Sequence, residues 1–364
     1  MKVSNKNRES GIEMLRLVAM LMVVMLHILD KGGLLTGYGG FSLGHQLVWE
    51  MEALCSVSVN CFALITGYVM INTSAKVSRS LTLIVQVLFY SILSLIVYVL
   101  VFHGAISKQD LLFSVFPVTS GAYWYASAYF FLLFLIPVYN IFIHRLEKKE
   151  LQRIIFLLIL AFSVMPSVFL WSRSVIGGGN DVVWLSVLYF IGAYMRKYGF
   201  NLNKRRSLVF FFVFSSLSYA LKICTITGTY ILTGNGFGGS LFYSYNAFNI
   251  LLASVCLFNY FRLMDVKSIF LTRISGLGVY SFGIYLCHEH PLFQKIIWDI
   301  FNISEQIEFG ILATWGNIFI ILLSIFCVGL ILEKFRVTVM DTIKWNCLCE
   351  KVDAKLAHHS ASGV

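Results

Sequence analysis

Charged residues and proline are both scarce in this chain, and their scarcity excludes most soluble folds. Asp, Glu, Lys and Arg make up 13% of the 364 residues and proline occurs 4 times, whereas 58% of the residues are hydrophobic. Soluble domains carry about 25% charged residues. The composition therefore indicates a polytopic membrane protein.

Acidic residues are scarcer than basic ones, which leaves a formal net charge of +10. In a soluble protein such a charge favours nucleic acid as a partner. Here the basic residues cluster in short loops between apolar segments, as the positive-inside rule describes for membrane proteins. We therefore expect the lipid bilayer as a partner, and no nucleic acid.

Cysteines with the spacing of a disulfide framework or a zinc site are also lacking. The 8 cysteines lie mostly within apolar segments, apart from the weak pair Cys347 and Cys349. The run His288, Glu289 and His290 offers possible ligands. Consecutive residues on a helix diverge by about 100°, however, so the three cannot all face one ion. We predict no metal site.

Ten apolar segments predict an all-α protein with about ten transmembrane helices. They span residues 12–31, 52–71, 81–103, 122–143, 154–171, 182–197, 207–224, 240–261, 274–297 and 309–332. With a cytoplasmic N-terminus, 22 of the 28 basic residues fall on the cytoplasmic side and 4 in the outer loops, which predicts that both termini are cytoplasmic. We expect one transmembrane domain over residues 1–335, followed by a cytoplasmic tail over 336–364 that is partly disordered or lies on the surface.

Two predicted outer loops are rich in residues that bind polar ligands. Residues 32–51 contain six glycines, with His45, Glu50 and Glu52 nearby, and residues 225–240 are uncharged and rich in Gly, Thr, Tyr and Asn. Such loops offer hydrogen bonds and aromatic faces to a neutral polar ligand such as a sugar. Flexible connectors are an equally good interpretation of each.

Arg16 and His27 are the most informative residues of the first apolar segment. Their separation of eleven residues is three helical turns plus about 20°, so both side chains point the same way, roughly 16 Å apart along the axis. Ionisable groups inside a membrane segment are costly and usually functional. Arg16 can instead reach lipid phosphates or pair with Glu13, and His27 can serve as an interhelical hydrogen-bond partner.

A second group of polar side chains lies in the ninth apolar segment. Ser281, Tyr285 and His288 share one helical face at i, i+4 and i+7, and Glu289 follows. Pro291 is expected to kink or end the helix. Counted from the cytoplasmic end, His288 lies in the outer half of the membrane, so His27 and His288 can line the same cavity.

A third group lies near the predicted cytoplasmic face. Lys76 and Arg79 follow the second apolar segment at i and i+3. With Arg16 at the same level they form a cluster suited to phosphate groups. Ordinary positive-inside loop charge explains such residues equally well.

These motifs, taken in order, resemble the membrane acyltransferase-3 family, the integral-membrane O-acyltransferases of bacterial glycans, over residues 10–330. The matching segments are Arg16 to His27, Val59 to Tyr68, Lys76 to Arg79, Tyr123 to Asn140 and Ser281 to His288. Thr66 replaces the usual Ser of the second motif, and Lys76 replaces the first Arg of the third. Lys presents a point charge where Arg presents a fork, so phosphate binding there would have altered geometry.

The resemblance implies an O-acetyltransferase of the bacterial plasma membrane. The donor would be cytoplasmic acetyl-CoA or another acyl-CoA, acting as a co-substrate with no permanently bound cofactor. The acceptor would be a hydroxyl of a cell-surface or lipid-linked polysaccharide, and glycan-assembly proteins are possible partners.

The resemblance also suggests roles for individual residues. His27 would act as general base, or as a nucleophile that forms an acyl-histidine, with Arg16 and His288 as further catalytic residues. Arg16, Lys76 and Arg79 would bind the donor phosphates. The candidates for substrate binding and oxyanion stabilisation are Trp124, Ser281, Tyr285, His288 and Glu289, unranked.

Two alternatives stay open on the sequence alone. Ten helices with polar residues at mid-membrane also suit a transporter or flippase that moves a glycan or another polar substrate without chemistry. The same acyl transfer can also serve a non-glycan acceptor such as a lipid, an antibiotic or an amino acid.

Overall fold

The chain folds into a bundle of helices. The computed structural model describes residues 9–38, 42–74, 76–169 and 177–361, is 81% helical and has no strand within those ranges. The helices are α1 (Ser10–Lys31), α2 (Leu34–Gly37), α3 (Leu43–Cys55), α4 (Ser58–Met70), α5 (Val77–Leu100), α6 (Lys108–Val115), α7 (Trp124–Arg145), α8 (Lys148–Ile159), α9 (Met165–Val168), α10 (Val182–Tyr198), α11 (Lys204–Thr233), α12 (Phe248–Arg262), α13 (Ile269–Ser275), α14 (Ser281–Glu289), α15 (Pro291–Phe301), α16 (Ile311–Thr342) and α17 (Trp345–Ala361).

The predicted membrane spans are largely confirmed. Nine stretches of the described chain are long and apolar enough to cross a bilayer, and each corresponds to one of the ten predicted segments. The remaining segment is α10, whose 17 residues extend about 25 Å, slightly less than a bilayer core. The protein is therefore an all-α polytopic membrane protein.

The spans differ in how much protein surrounds them. In the α3–α4 span, 78% of the most apolar 18-residue window is buried inside the bundle, and in α1 the share is 61%. In the span Lys148–Val168, which begins with α8, and in α11 the share is only 22%. A helix that is apolar all round is stable either inside a bundle or against lipid. Hence α1 and α4 form the centre of the bundle, and α8 and α11 present most of their surface to the bilayer.

Two glycines bring α4 and α10 into direct backbone contact. A side chain at Gly67 would overlap the carbonyl of Tyr189, and one at Gly192 would overlap the carbonyl of Leu64. Small residues let membrane helices approach closely and gain dispersion energy that lipid cannot supply. This contact fixes α4, which carries part of the site described below, against the centre of the bundle.

Both ends of the described chain lie at the same end of the bundle. Glu9 accepts a hydrogen bond from Tyr68 Oη at the end of α4, and Asp353 of α17 contacts Ser78 at the start of α5. We call this the Arg79 end. The opposite end, where α1 finishes at Lys31, is called the Lys31 end.

The two predicted outer loops are largely helical. Residues 32–51 contain α2 and most of α3, whose first turn is capped by the Ser42 hydroxyl, and α11 continues to Thr233 through much of 225–240. Polar residues and glycine lower the mean hydropathy of these stretches, so a search for apolar runs ended the helices too early. The region expected to be a tail is helical as well, through the end of α16 and α17.

Proline ends the ninth predicted segment as expected. Here α14 stops at Glu289, His290 adopts an extended conformation, and α15 starts at Pro291. The His290 side chain accepts a hydrogen bond from the backbone N–H of Leu292 and caps α15. The break leaves His288 and Glu289 in the last turn of α14, facing α1.

Candidate active site

A cavity of about 770 Å³ runs through the bundle from the Arg79 end towards His27. Its volume falls within the range of about 300–1,000 Å³ that is usual for ligand pockets. The residues lining it come mainly from α1, α4, α5, α7, α14 and α17. Helices that are far apart in the chain therefore contribute to a single chamber.

Arg16 and His27 both line this cavity, as their spacing on α1 predicts. Arg16 lies towards the Arg79 end, with its Nε atom 3.6 Å from an Oε atom of Glu13. This is the pairing that the sequence offered as an alternative to function. Arg16 lines the cavity even though it lies close to Glu13.

His27 is the centre of a compact polar network at the inner end of the cavity. Its Nδ1 lies 2.9 Å from Nε2 of His288 and 3.0 Å from an oxygen of Glu289. The Lys31 ammonium donates to both oxygens of Glu289, at 2.8 and 2.9 Å. One helix, α1, thus provides a histidine and a lysine one turn apart, and α14 provides their two partners.

The hydrogen bonds determine which nitrogen of each neutral imidazole carries the proton. His288 Nδ1 lies 2.6 Å from the carbonyl oxygen of Ile284, and a carbonyl can only accept. His288 therefore holds its proton on Nδ1 and offers Nε2 as an acceptor. His27 must then donate from Nδ1, towards His288 and Glu289, which leaves its Nε2 unprotonated.

This arrangement meets the geometric requirements of a general base. Among the described residues, no hydrogen-bond partner is present for His27 Nε2. A carboxylate beside the protonated nitrogen orients the ring and stabilises the imidazolium that forms when Nε2 takes a proton. Lys31 in turn holds the carboxylate in place and offsets part of its charge.

The predicted substrate-binding residues separate into two groups. Trp124, Ser281 and Tyr285 line the cavity, whereas His288 and Glu289 stand behind His27 and touch the cavity through it. The Tyr285 hydroxyl is buried and has no hydrogen-bond partner in the described part of the chain. The Tyr285 hydroxyl is therefore available to donate to an oxyanion.

The Arg79 end of the cavity is lined by the two other predicted cations. Lys76 and Arg79 both face it, on the side from which Arg16 also projects. Arg79 Nη1 donates to Thr73 Oγ1 at 3.2 Å and to the Ser74 carbonyl at 2.9 Å, which fixes the guanidinium at the mouth. The three cations predicted to bind donor phosphates thus share one chamber.

The His27 network has both the composition and the spacing of a metal site. Ligand atoms of His27, His288 and Glu289 lie within 4.8 Å of one another, so two consecutive residues of α14 approach one point together with a residue of α1. His290, the third residue of the run considered in the sequence, is not part of this group. Lys31 occupies both oxygens of Glu289, and an ammonium in contact with the carboxylate repels a divalent cation.

Some residues of the site were not predicted. No role was predicted for Lys31, although its i+4 relation to His27 places both on one face of α1. A second buried pair supports α14 from behind: Arg336 donates to Glu333 on α16, and Glu333 also accepts from Tyr90 Oη at 2.7 Å. Glu333 and Arg336 are three residues apart on α16, whereas their contact with Tyr90 of α5 has no signal in the sequence.

The fold and the site together define a polytopic helical membrane protein with a positioned histidine at the end of a long internal cavity. The acyltransferase-3 family model, described as an acyltransferase domain, matches residues 9–334, nearly the whole chain. The chain therefore belongs to that family and is a membrane acyltransferase. No curated protein and no solved structure matches it.

Proposed function

We propose that the protein transfers an acetyl or related acyl group from cytoplasmic acyl-CoA to a hydroxyl of a cell-surface or lipid-linked polysaccharide. The observation that carries this proposal is the state of His27: Nδ1 is held by His288 and Glu289, and Nε2 is left without a partner in a residue that lines the cavity. A base held in this way is what removal of a proton from an attacking hydroxyl requires.

In the proposed reaction His27 acts as both base and acid. Its Nε2 takes the proton from the acceptor hydroxyl as the hydroxyl oxygen bonds to the thioester carbonyl carbon. The carbonyl oxygen becomes an oxyanion, which Tyr285 is placed to stabilise by donating its hydroxyl hydrogen. The carbon–sulfur bond then breaks, and the thiolate takes the proton from the imidazolium, which yields the ester and free CoA.

The two ends of the cavity suit the two ends of an acyl-CoA molecule. Arg16, Lys76 and Arg79 would bind the anionic nucleotide, with the long neutral arm extending towards His27. The rise of about 16 Å between Arg16 and His27 requires such an extended arm. The proposal therefore places the Arg79 end in the cytoplasm of a bacterial cell, with the protein in the plasma membrane.

A mechanism through an acyl-histidine uses the same atom, because His27 Nε2 would be the nucleophile. The free Tyr285 hydroxyl serves either route. Membership in an acyltransferase family supports chemistry over the alternative of a transporter that leaves its substrate unaltered. Glycan-assembly proteins that deliver the acceptor are compatible with both mechanisms.

The test compares base-labile acyl esters on the surface glycan of cells that make the wild type, His27→Ala or His103→Ala at equal membrane levels. His103 is an exposed histidine outside the site and serves as the control. We expect the esters to fall by about 10²- to 10⁴-fold in His27→Ala and to persist in the control, because general-base catalysis contributes that much. The mass of the released acid identifies the acyl group.

Equal esters in both variants, in a host with no other source, would show that His27 is structural. If the esters are absent even from wild-type cells, the acceptor is not the surface glycan but another class of molecule. The same preparations can be given radiolabelled acetyl-CoA, whose failure to transfer label would exclude acetyl-CoA as the donor.

A further inference from the structure

A group of polar aromatic residues surrounds a buried lysine at the Lys31 end, outside the cavity described above. We call it the Trp49 cluster, and its members are His45 and Trp49 of α3, Tyr219 and Lys222 of α11, and Tyr243 in the turn before α12. The Trp49 and Tyr243 rings lie 5.0 Å apart, and the His45 and Tyr219 rings 6.2 Å apart. The Lys222 ammonium lies over the Trp49 ring, 2.8 Å from its centroid.

Lys222 has no carboxylate partner in the described part of the chain, although its side chain is only 7% exposed. Two other lysines at this end are paired, Lys31 with Glu289 and Lys295 with Asp110. The attraction of an ammonium to an aromatic face is weaker than the hydration it loses on burial. An unpaired ionisable residue within a membrane segment therefore indicates a site for an anion.

The rest of the Trp49 cluster is also unsatisfied. Trp49 Nε1, His45 Nδ1 and the hydroxyls of Tyr219 and Tyr243 are buried without a hydrogen-bond partner among the described residues. Tyr243 is only 8% exposed. An indole N–H, two phenols and an ammonium are hydrogen-bond donors, so the ligand that satisfies them must be rich in acceptor oxygens.

Glu52 connects the Trp49 cluster with the active site. It lies one helical turn after Trp49, and its Oε2 atom is buried without a described partner. Its carboxylate interacts electrostatically with Asp30, close to His27 on α1, and with Tyr245, which lines the cavity. Glu52 can accept hydrogen bonds from hydroxyls, which Lys222 and Trp49 cannot.

We propose that the Trp49 cluster binds an acidic sugar of the acceptor glycan, with the sugar carboxylate on Lys222, its ring against Trp49 and Tyr243, and its hydroxyls towards Glu52. This inference rests on the proposed function, because it identifies the acceptor of that reaction. Aromatic faces beside mixed donors and acceptors suit a hydroxylated ring. The unpaired ammonium is what distinguishes an acidic sugar from a neutral one.

The test measures thermal unfolding of the purified full-length protein in detergent, with hexagalacturonate as the acidic probe and maltohexaose as the neutral one. Hexagalacturonate at ten times its Kd is expected to raise Tm by about 2 °C in the wild type. The shift should vanish in Lys222→Met, which keeps the side-chain stem, and persist in Lys108→Met, an exposed lysine at the same end. Maltohexaose should give no shift in any variant.

An equal shift in Lys222→Met, or no shift in the wild type, would overturn the site, and an equal shift with maltohexaose would overturn its acidic specificity. If Lys222→Met does not fold, Tyr243→Phe removes one hydroxyl and should raise the Kd several-fold. Transfer of labelled acetyl groups to hexagalacturonate is measured on the same preparation. Binding through Lys222 without transfer would contradict the proposed function and leave the binding site standing.

A separate observation concerns α17, which closes the Arg79 end of the cavity. Asn346, Cys349, Glu350 and Asp353 line the cavity, and their spacing places them on one face of the helix. The Asp353 carboxylate accepts from the backbone N–H of Ser78 at 3.1 Å and from its hydroxyl at 2.6 Å. Asp353 thus occupies the N-terminus of α5, between the predicted phosphate-binding cations.

Two further contacts between α17 and α5 involve Thr82. Trp345 Nε1 donates to Thr82 Oγ1 at 3.1 Å, and Cys349 Sγ lies 3.7 Å from the same oxygen. A phosphate and a carboxylate accept hydrogen bonds from the same groups at a helix N-terminus. A donor phosphate that reaches Ser78 must therefore replace Asp353.

We infer that α17 is a displaceable lid that inhibits the enzyme until the donor's phosphate replaces Asp353. This inference also rests on the proposed function, since it assumes a phosphate-bearing donor. The Ser78 hydroxyl, its backbone N–H, Lys76 and Arg79 hold the pKa of Asp353 below its usual value. The contact between Asp353 and Ser78 is therefore fully present above the ordinary pKa of a carboxyl group. It is lost only as the pH falls through the lowered pKa of Asp353, so the lid does not respond to pH near neutrality.

Two native cysteines of α17 report on the lid directly. Cys349 is buried against α5, whereas Cys347 is exposed. Maleimide labelling of both is followed by peptide mass spectrometry, with Cys349 as the reporter of lid opening and Cys347 as the internal control. Saturating CoA is expected to raise the labelling rate of Cys349 several-fold and leave that of Cys347 unchanged. Asp353→Asn should raise Cys349 labelling without CoA and lower the donor KM.

CoA binding is measured in parallel by equilibrium dialysis. Binding with unchanged or reduced Cys349 labelling would show that α17 is a fixed wall of the cavity and would overturn the lid. Failure of CoA to bind would contradict the proposed function, and the lid with it.

Discussion

The two ends of the cavity are built in opposite ways. At His27, four side chains from two helices hold one another at distances of 2.8 to 3.0 Å, and each polar atom has a defined partner or a defined role. At the Arg79 end the three cations line the cavity separately, Arg79 is held by Thr73 and the Ser74 carbonyl, and Asp353 of α17 reaches Ser78 beside them.

The difference matches what the proposed function requires of each end. Proton transfer depends on sub-ångström placement, so the base must be oriented before the substrate arrives. Binding a flexible, highly charged nucleotide depends on charge and access, and a rigid mouth would slow its entry and release. Substitutions at the His27 end should therefore change kcat, whereas substitutions at the Arg79 end should change the donor KM.

Replacement of Glu289 by Gln is the strongest test of this contrast. The amide keeps the size of the side chain but removes the charge that stabilises protonated His27, and it leaves Lys31 unpaired. We expect kcat to fall by about 10²- to 10³-fold with less than a threefold change in donor KM. Steady-state kinetics with acetyl-CoA measures both. Glu308→Gln, an exposed carboxylate at the same end, is the control, and a loss confined to KM would contradict the orienting role.

Replacement of Arg79 by Ala tests the other end. Loss of one guanidinium that binds phosphate should raise the donor KM about tenfold and leave kcat within threefold, because a charge-assisted hydrogen bond contributes that much to ground-state binding. Arg145→Ala removes an exposed arginine at the same end of the bundle and should change neither value. An unchanged donor KM in Arg79→Ala would remove this residue from the donor site.

The smallest effect is expected at Lys76, where the chain departs from the family pattern. Lys76→Arg introduces a planar fork that can bind a phosphate through two hydrogen bonds, so the donor KM should fall about two- to threefold. Lys76→Met should raise it by a similar factor. If Arg and Met at this position give the same KM, Lys76 contributes only general positive charge.

Much of the bundle could be predicted because helical periodicity and hydropathy are local properties. The face shared by Arg16 and His27, the end of α14 before Pro291, and the cations at the Arg79 end all follow from spacing within one segment. The helical parts of residues 32–51 and 225–240 were missed, because their polar residues and glycines lower the mean hydropathy below that of an apolar run.

The active site could be predicted only as a set of separate motifs. Lys31 was within reach, since it lies four residues after His27 on the same face. Its partner Glu289 was named, but as a substrate-binding residue. Nothing in α14 alone indicates that Glu289 contacts a lysine 258 positions earlier in the chain. The Trp49 cluster depends in the same way on α3 and α11 being neighbours.

The sequence by itself determined the class of protein, the approximate membrane spans and the face that Arg16 shares with His27, because these depend on composition and on the angle between successive residues. Tertiary structure alone decided that His27 donates to His288 and Glu289, that Lys222 has no counter-charge, and that Asp353 reaches Ser78 across 275 positions. The physical reason is that helix neighbours in a membrane are selected by many weak packing contacts, which no single segment encodes.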